Sequence, residues 1–474
     1  LIQLWVGFLS ICASYPKANI WIIPSVESPQ VYRNYAQTSK VHLEMARGEV
    51  EHIQLVFPSK VNEEYRFTFD RYLKGIQISA RELKKMNGYY DALVPFKNQL
   101  KCTDTLTAVW ITVQCPSRVP VGKYHQTIKI EGSKHFTIQL DYNVHHTTIP
   151  LKSSIPITVG VENRCMTEGL NDKEADKERQ RWVDFVLSYR MTPVFGTQIT
   201  PERWQYEHSF SPWAWNDKRS IRLLNDRRYS CYMLPFFTLS ENELASLLCN
   251  IQKKGKLKES LFYIWDEPAY MEDYEQIKRK VNIIRKYASD ARILTTFFCG
   301  PRNGPRKGDL YAVFDYLKHH IHVATISLAP CKGNEEEVQH IRYKVPEGID
   351  WWSYVCWQPG GNEPNFLLQM KGIQQRAVMW RTWKNGSQGF LYWNCNIYHK
   401  RNPFTYITDM PHGDGILIYP GDILGCKGPI ASARLERWRD GAEEMELLRL
   451  VEKNYSKEKA DTLLNIVYSS PLSF

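Results

Sequence analysis

Asp266 and Glu267 form the one Asp-Glu dipeptide in the 474-residue chain, closing the apolar run Ser260-Leu261-Phe262-Tyr263-Ile264-Trp265 just before Pro268. Two neighbouring carboxylates in aromatic surroundings can share the work of a hydrolysis. Desolvation and mutual repulsion separate their pKa values, so one stays ionised while the other keeps a proton near neutral pH. Side chains alternate faces along a strand, so adjacent residues serve one site only where the strand ends and the backbone turns. Pro268, with a fixed φ and no backbone donor, suits such an exit. A plainer role is also open, because an Asp ahead of Glu-Pro can cap the helix that follows.

The elements that must position this pair alternate short apolar runs with amphipathic stretches. Runs at 156–161, 193–195, 231–237, 261–265, 293–298, 322–328, 349–355 and 389–393 read as strands. Between them, Trp182, Phe185, Val186 and Tyr189 share one stripe, and Ser240 with Glu243 makes a capping-box pattern. Tyr274, Ile277, Val281, Ile284 and Ala288 recur at helical spacing. Eight strand–helix units predict a (β/α)8 TIM barrel over 155–442, its second unit interrupted by a long loop at 196–230 with Trp204, Trp213 and Trp215. Active sites of such barrels stand at the C-terminal ends of the strands. That rule selects Glu162, Asn163 and Arg164 after the first strand, and Asp266 and Glu267 after the fourth. It also selects Tyr354 and Trp357 after the seventh, and Trp393, Asn394 and Asn396 after the eighth. Asp266 and Glu267 are the catalytic candidates; Tyr354, Trp393, Asn394, Asn163 and Trp357 are the substrate-binding candidates. Carboxylates ringed by aromatics and amides suit a sugar, although every aromatic also suits a core.

Residues 19–150 read differently. Short alternating segments at 41–45, 52–57, 107–113, 124–131 and 136–144, separated by turn residues, predict an antiparallel β-sandwich, joined to the barrel by a polar linker at 147–154. Residues 443–474 read as a helical tail packed on the outside of the barrel. Residues 1–18 are apolar and reach the small residues Cys12-Ala13-Ser14, as in a truncated secretory signal or a first strand. With the sequons at Asn385 and Asn454 this points to a secreted or lysosomal location. Cys102 and Cys115 lie in neighbouring segments and could pair. No CxxC or HExxH spacing occurs, so neither a metal nor another cofactor is expected. The net charge of +10 is spread over mixed helix faces without a recognition motif, which argues against nucleic acid. No stretch reaches the length of an integral membrane segment.

Several motifs in one order add a further reading. Phe262-Tyr263-Ile264-Trp265-Asp266-Glu267-Pro268, Gly389-Phe390-Leu391-Tyr392-Trp393, Gly413-Asp414-Gly415 and Tyr419-Pro420-Gly421 resemble glycoside hydrolase family 123. Ala46-Arg47-Gly48-Glu49, Pro120-Val121-Gly122-Lys123-Tyr124 and the run from Ser432 to Gly441 extend the resemblance from about residue 19 to 450. It implies a β-sandwich followed by a (β/α)8 barrel. It further implies a retaining exo-glycosidase that removes β-linked N-acetylgalactosamine, with the substrate's own 2-acetamido group as nucleophile. Asp266 would then orient the acetamido nitrogen, and Glu267 would act as general acid and then base. Tyr354 would donate to the acetamido carbonyl and Trp393 would stack on the sugar. The partner is a glycan, whether oligosaccharide, glycolipid or glycoprotein. Two alternatives are a hydrolase of this scaffold with another sugar, and a non-catalytic carbohydrate-binding protein, which would need neither an acid nor a polariser.

Overall fold

The computed structural model of the chain describes residues 20–30, 38–70, 75–200, 205–329, 335–398, 401–404 and 412–470, so the expected signal segment and Trp204 lie outside the described residues. Two five-stranded sheets come first. One runs in the order Trp21–Pro24, Val50–Pro58, Leu106–Gln114, Gln77–Met86, Tyr89–Pro95, every pair antiparallel. The other is Lys40–Arg47, His135–Thr148, Gly122–Glu131, Glu64–Phe69, Gln99–Lys101. Alternation supplies their common core: Ile53, Leu55 and Phe57 from one sheet cluster with Phe67, Ile128 and Leu140 from the other. The expectation of a purely antiparallel arrangement fails at one place, because Lys40–Arg47 pairs parallel to His135–Thr148. Strand pattern reports which face is buried; it does not report direction. Cys102 and Cys115 are separate buried thiols. Asn385 is fully buried, so its sequon cannot carry a glycan in the folded protein.

The second region is a nine-stranded, nearly closed barrel of mixed direction. Its parallel strands are Ile157–Glu162, Thr192–Thr200, Tyr232–Met233, Ser260–Trp265, Arg292–Phe297, Val323–Ser327, Asp350–Val355 and Phe390–Tyr392. The ninth strand, Gln205–Ser209, was not expected: it forms a hairpin with Thr192–Thr200 inside the region read as loop. It fills the gap beside the two-residue third parallel strand, where Phe210 N–H donates to Met233 O at 2.7 Å. Trp213 of that region packs away from the barrel mouth, its Nε1–H donating to Asp176 Oδ1 at 3.0 Å. Inside the barrel, Val194, Met233, Leu261, Leu294, Val323 and Leu391 form one cluster. Val159, Val161, Phe262, Ile264 and Ile293, on the other faces of those strands, belong to the large cluster shared with the surrounding helices.

The final long helix is Ala433–Asn454, capped by Ser432, whose hydroxyl accepts from Leu435 N–H at 3.0 Å. It starts at Ala433, well before Glu443, and its later turns pack on the barrel's Val378–Lys384 helix, where Trp380 Nε1–H donates to Glu444 Oε2 at 2.7 Å. Its first half is buried throughout, wedged between the sheets and the barrel. Gly441 permits the approach, since a Cβ there would collide with the Arg376 carbonyl oxygen. Its charged residues are paired with buried groups: Arg434 with Asp91, Arg81 with Glu436, and Glu444 with Arg376.

Candidate active site

The fourth parallel strand of the barrel, Ser260–Trp265, carries a register shift between Tyr263 and Trp265. Such an irregularity bends a strand and re-aims its side chains. Two residues later Glu267 adopts a left-handed φ of 43°, unusual for a non-glycine residue. The two departures bring both carboxylates to the strand end, where alternation alone would part them. Asp266 Oδ1 accepts from the Tyr263 hydroxyl at 2.7 Å and the Thr296 hydroxyl at 2.8 Å. Thr296 Oγ1 in turn accepts from Glu267 N–H at 2.9 Å, so one threonine of the fifth strand ties both residues of the pair. Among the described residues no hydrogen bond reaches Asp266 Oδ2.

The cap of the next helix, Met271–Arg285, is supplied elsewhere: Asp273 Oδ2 accepts from Ala269 N–H and Tyr270 N–H, both at 2.9 Å. The pair is therefore free of the capping role. Glu267 accepts from the Tyr354 hydroxyl. Glu267 is exposed at the rim, yet desolvation of its carboxyl, followed by the negative charge of Asp266, pushes it up to about 7 against the hydrogen bond from Tyr354 and the charge of Arg302.

Beside the pair opens a recess lined by Asp266, Trp393 and Asn394, with Tyr206, His208 and Tyr263 opposite and Gly160 and Gly196 in its wall. Gly160 has no room for a side chain: a Cβ would collide with the Trp393 carbonyl oxygen. His208 stacks on Tyr263 with ring centroids 4.2 Å apart and 9° between planes. Burial pushes the His208 imidazole down to about 3, so it faces the recess uncharged.

Residues 177–451 match the family described as glycoside hydrolase 123, catalytic domain. The chain belongs to glycoside hydrolase family 123. A family 123 glycoside hydrolase from Clostridium perfringens, studied for glycolipid glycan hydrolysis, shares the fold with a TM-score of 0.67 at 14% identity, over 95% of this chain and 92% of that one. Looser likenesses join a β-galacturonidase from Eisenbergiella tayi (TM-score 0.38, 8% identity, 84% of this chain, 89% of that one) and a β-D-glucuronidase from Dictyoglomus thermophilum (0.34, 9%, 91%, 75%). At those scores they carry no argument. No curated protein sequence matches the chain.

In this glycoside hydrolase the strand-end candidates do not all converge. Asp266, Glu267 and Tyr354 stand together; Trp393 and Asn394 join Asp266 around the recess. Asn394 Oδ1 already accepts from Asn396 N–H at 2.9 Å. Asn163 turns to the second strand, its Nδ2 donating to Thr197 Oγ1 at 3.2 Å, and does not line the recess. Trp357 is 42% exposed on the rim and stacks on Phe298. Sequence reasoning passed over Tyr263 and Thr296, although alternation from Leu261 and Leu294 puts both on the inner face. It also assigned nothing to Asp414, which accepts from Trp393 and lies in no strand.

Proposed function

We propose that this family 123 hydrolase removes terminal β-linked N-acetylgalactosamine with retention, using the substrate's 2-acetamido group as nucleophile. The observation that carries the reading is the division of labour within the pair. Asp266 has one oxygen occupied by two hydroxyl donors and the other without a hydrogen bond among the described residues, while Glu267 is pushed up to about 7. The acetamido oxygen attacks C1, and the bond from C1 to the leaving oxygen breaks as Glu267 gives that oxygen its proton. Asp266 Oδ2 accepts from the acetamido N–H and offsets the positive oxazolinium. Water then attacks C1 as the bond from C1 to the acetamido oxygen breaks and restores the acetamide, and it gives a proton to Glu267, so two inversions leave the β configuration. An internal nucleophile reaches effective molarities of roughly 10⁵ M or more, so two carboxylates on one strand end suffice without an opposed pair.

Trp393 supplies the face on which the sugar stacks, and Asn394 stands in the same wall. Tyr354 donates to the acetamido carbonyl once substrate displaces its bond to Glu267, and Trp357 with Phe298 flanks the leaving-group side. On this reading the nine strands work as a (β/α)8 barrel with one inserted antiparallel strand, the site at the C-terminal ends of the parallel ones. A glycolipid headgroup, as hydrolysed by the clostridial relative, is the natural class of substrate to try.

Release of 4-nitrophenol from its β-N-acetylgalactosaminide, with the N-acetylglucosamine epimer and Glu267→Gln alongside, tests the proposal. Expected are preference for the galacto epimer, its loss in Glu267→Gln, and the β-anomer as first product by NMR. Equal turnover by Glu267→Gln, or the α-anomer first, overturns the mechanism; preference for another aryl glycoside overturns the sugar alone.

A further inference from the structure

Asp414 lies in the loop after the eighth parallel strand and is 2% exposed. Its Oδ1 accepts from Trp393 Nε1–H at 3.0 Å and from the Tyr392 hydroxyl at 3.1 Å. Its Oδ2 is buried with no partner among the described residues. The flanking glycines set the carboxylate in this place. Gly413 and Gly415 have φ of +89° and +67°, and a Cβ on Gly415 would stand 2.5 Å from the Trp393 ring. The loop is then tied from behind by Arg434 of the final long helix. Arg434 Nη1 donates to the carbonyls of Gly413 and Phe366, each at 2.7 Å, and Nη2 donates to Ile416 O at 2.5 Å. Its Nε and Nη2 reach Asp91 Oδ2 at 3.0 and 2.9 Å. Asp91 belongs to neither the barrel nor the helix: it lies in Tyr89–Pro95, the edge strand of the first sheet.

A buried ion pair is a weak way to gain stability, because apolar packing of the same volume often does as well. Charged, directional bonds do fix one geometry where apolar contacts would tolerate several. Here the chain of bonds ends on an indole N–H at the rim of the recess. An indole held by one acceptor keeps a single ring orientation before the sugar arrives, which lowers the ordering cost of binding.

We propose that Asp414 is the positioning residue that fixes the Trp393 indole for the sugar, and that Arg434 and Asp91 extend this support from the N-terminal sheets into the active site. The inference rests on the reading of Trp393 as the sugar platform.

The test compares Trp393→Ala, Trp393→Phe, Asp414→Asn, the Phe/Asn double variant and Asp91→Asn. Each is assayed on whichever aryl β-glycoside the parent turns over fastest, so an error in the sugar assignment leaves the outcome untouched. Trp393→Ala with parental KM removes the platform and this inference with it. With Trp393→Ala impaired, Asp414→Asn is expected to raise KM about 10-fold, the scale of one charge-assisted hydrogen bond, with kcat within about 3-fold. In the Trp393→Phe background it should add little, because phenylalanine has no N–H to hold. Parental KM in Asp414→Asn, or effects that multiply in the double variant, overturns the role of Asp414. If Asp414→Asn does not fold, Trp393→Phe alone must reproduce the rise in KM at near-parental kcat, and parental KM there overturns the role. Asp91→Asn should raise KM in the same direction while circular dichroism stays native. A lowered Tm with parental KM confines Asp91 to stability and overturns the extension.

Discussion

Glu267 is the residue where chemistry and backbone conflict. Its φ of 43° costs an L-residue about 1–2 kcal/mol, and no turn or cap requires that conformation of a glutamate. Strain of this kind persists where the surroundings over-determine it, and here Thr296 on its N–H and Tyr354 on its carboxyl do so. Glu267→Gly is therefore expected to abolish turnover while leaving Tm unchanged or higher, a combination that paired kinetics and thermal melts would reveal. The carboxyl itself sets a pH limit. With Glu267 pushed up to about 7, the protonated acid is lost as pH rises through that value. Then kcat/KM should fall about tenfold per pH unit on the alkaline side, a limb that Glu267→Gln lacks; a flat profile from pH 6 to 9 would contradict this.

At the scale of elements, the site depends on how neighbouring strands are held in register. The shift between Tyr263 and Trp265 turns the fourth parallel strand toward the fifth, where Thr296 meets both carboxylate residues. Thr296→Val keeps the shape and removes both bonds. It is expected to lower kcat/KM by about 10-fold, with a Tm loss of no more than a few degrees. Gly160 marks the seam between the first and eighth parallel strands, where the Trp393 backbone passes with no space for a Cβ. Because a backbone atom cannot swing aside as a side-chain tip can, Gly160→Ala should cost about 2 kcal/mol or more of stability, readable as a lower urea midpoint.

At the scale of the whole molecule, the sheets and the barrel meet across buried charge. Burial pushes Glu51 up to about 8 and Glu443 to about 7, against the charge of Arg376 on the first and of Arg190 and Arg439 on the second. Glu49 is likewise raised well above its ordinary value, by burial and then by Glu51 and Glu443. A carboxyl whose folded pKa exceeds its unfolded one binds more protons in the native state between the two values, so it loses stability as pH rises through that window. His52 adds to the same trend: against the downward pull of burial, Asp440 and Glu436 raise it, and its contribution also fades as pH rises. Glu436 does not oppose them there, because against desolvation the charges of Arg439, Arg81 and His52 hold it well below the carboxylate range. Tm should therefore decline from about pH 5 to 8, and Glu51→Gln should flatten the decline; a Tm rising across that range would refute the account.

Much of this was legible before any coordinates. The spacing of apolar runs placed six of the eight parallel strands to within one residue at each end, because periodicity reports which face of an element is buried. The strand-end rule then reached Asp266, Glu267, Tyr354, Trp393 and Asn394, all of which meet at one mouth. It reached Asn163 as well, which does not join them, because a strand-end position does not fix where a side chain points. The inserted strand Gln205–Ser209, the parallel pairing of Lys40–Arg47 and the early start of Ala433–Asn454 left no local signature. Each depends on what packs opposite. The same holds for Asp414, an ordinary loop aspartate until Trp393 donates to it and Arg434, itself held by Asp91, ties the adjoining Gly413 carbonyl. The sequence by itself determined the alternation of elements and the place of two adjacent carboxylates at a strand end, since both are written in neighbouring residues. Strand direction, the aim of each side chain and the partners of buried charges were decided by the tertiary structure, because they arise only from contacts between residues far apart in the chain.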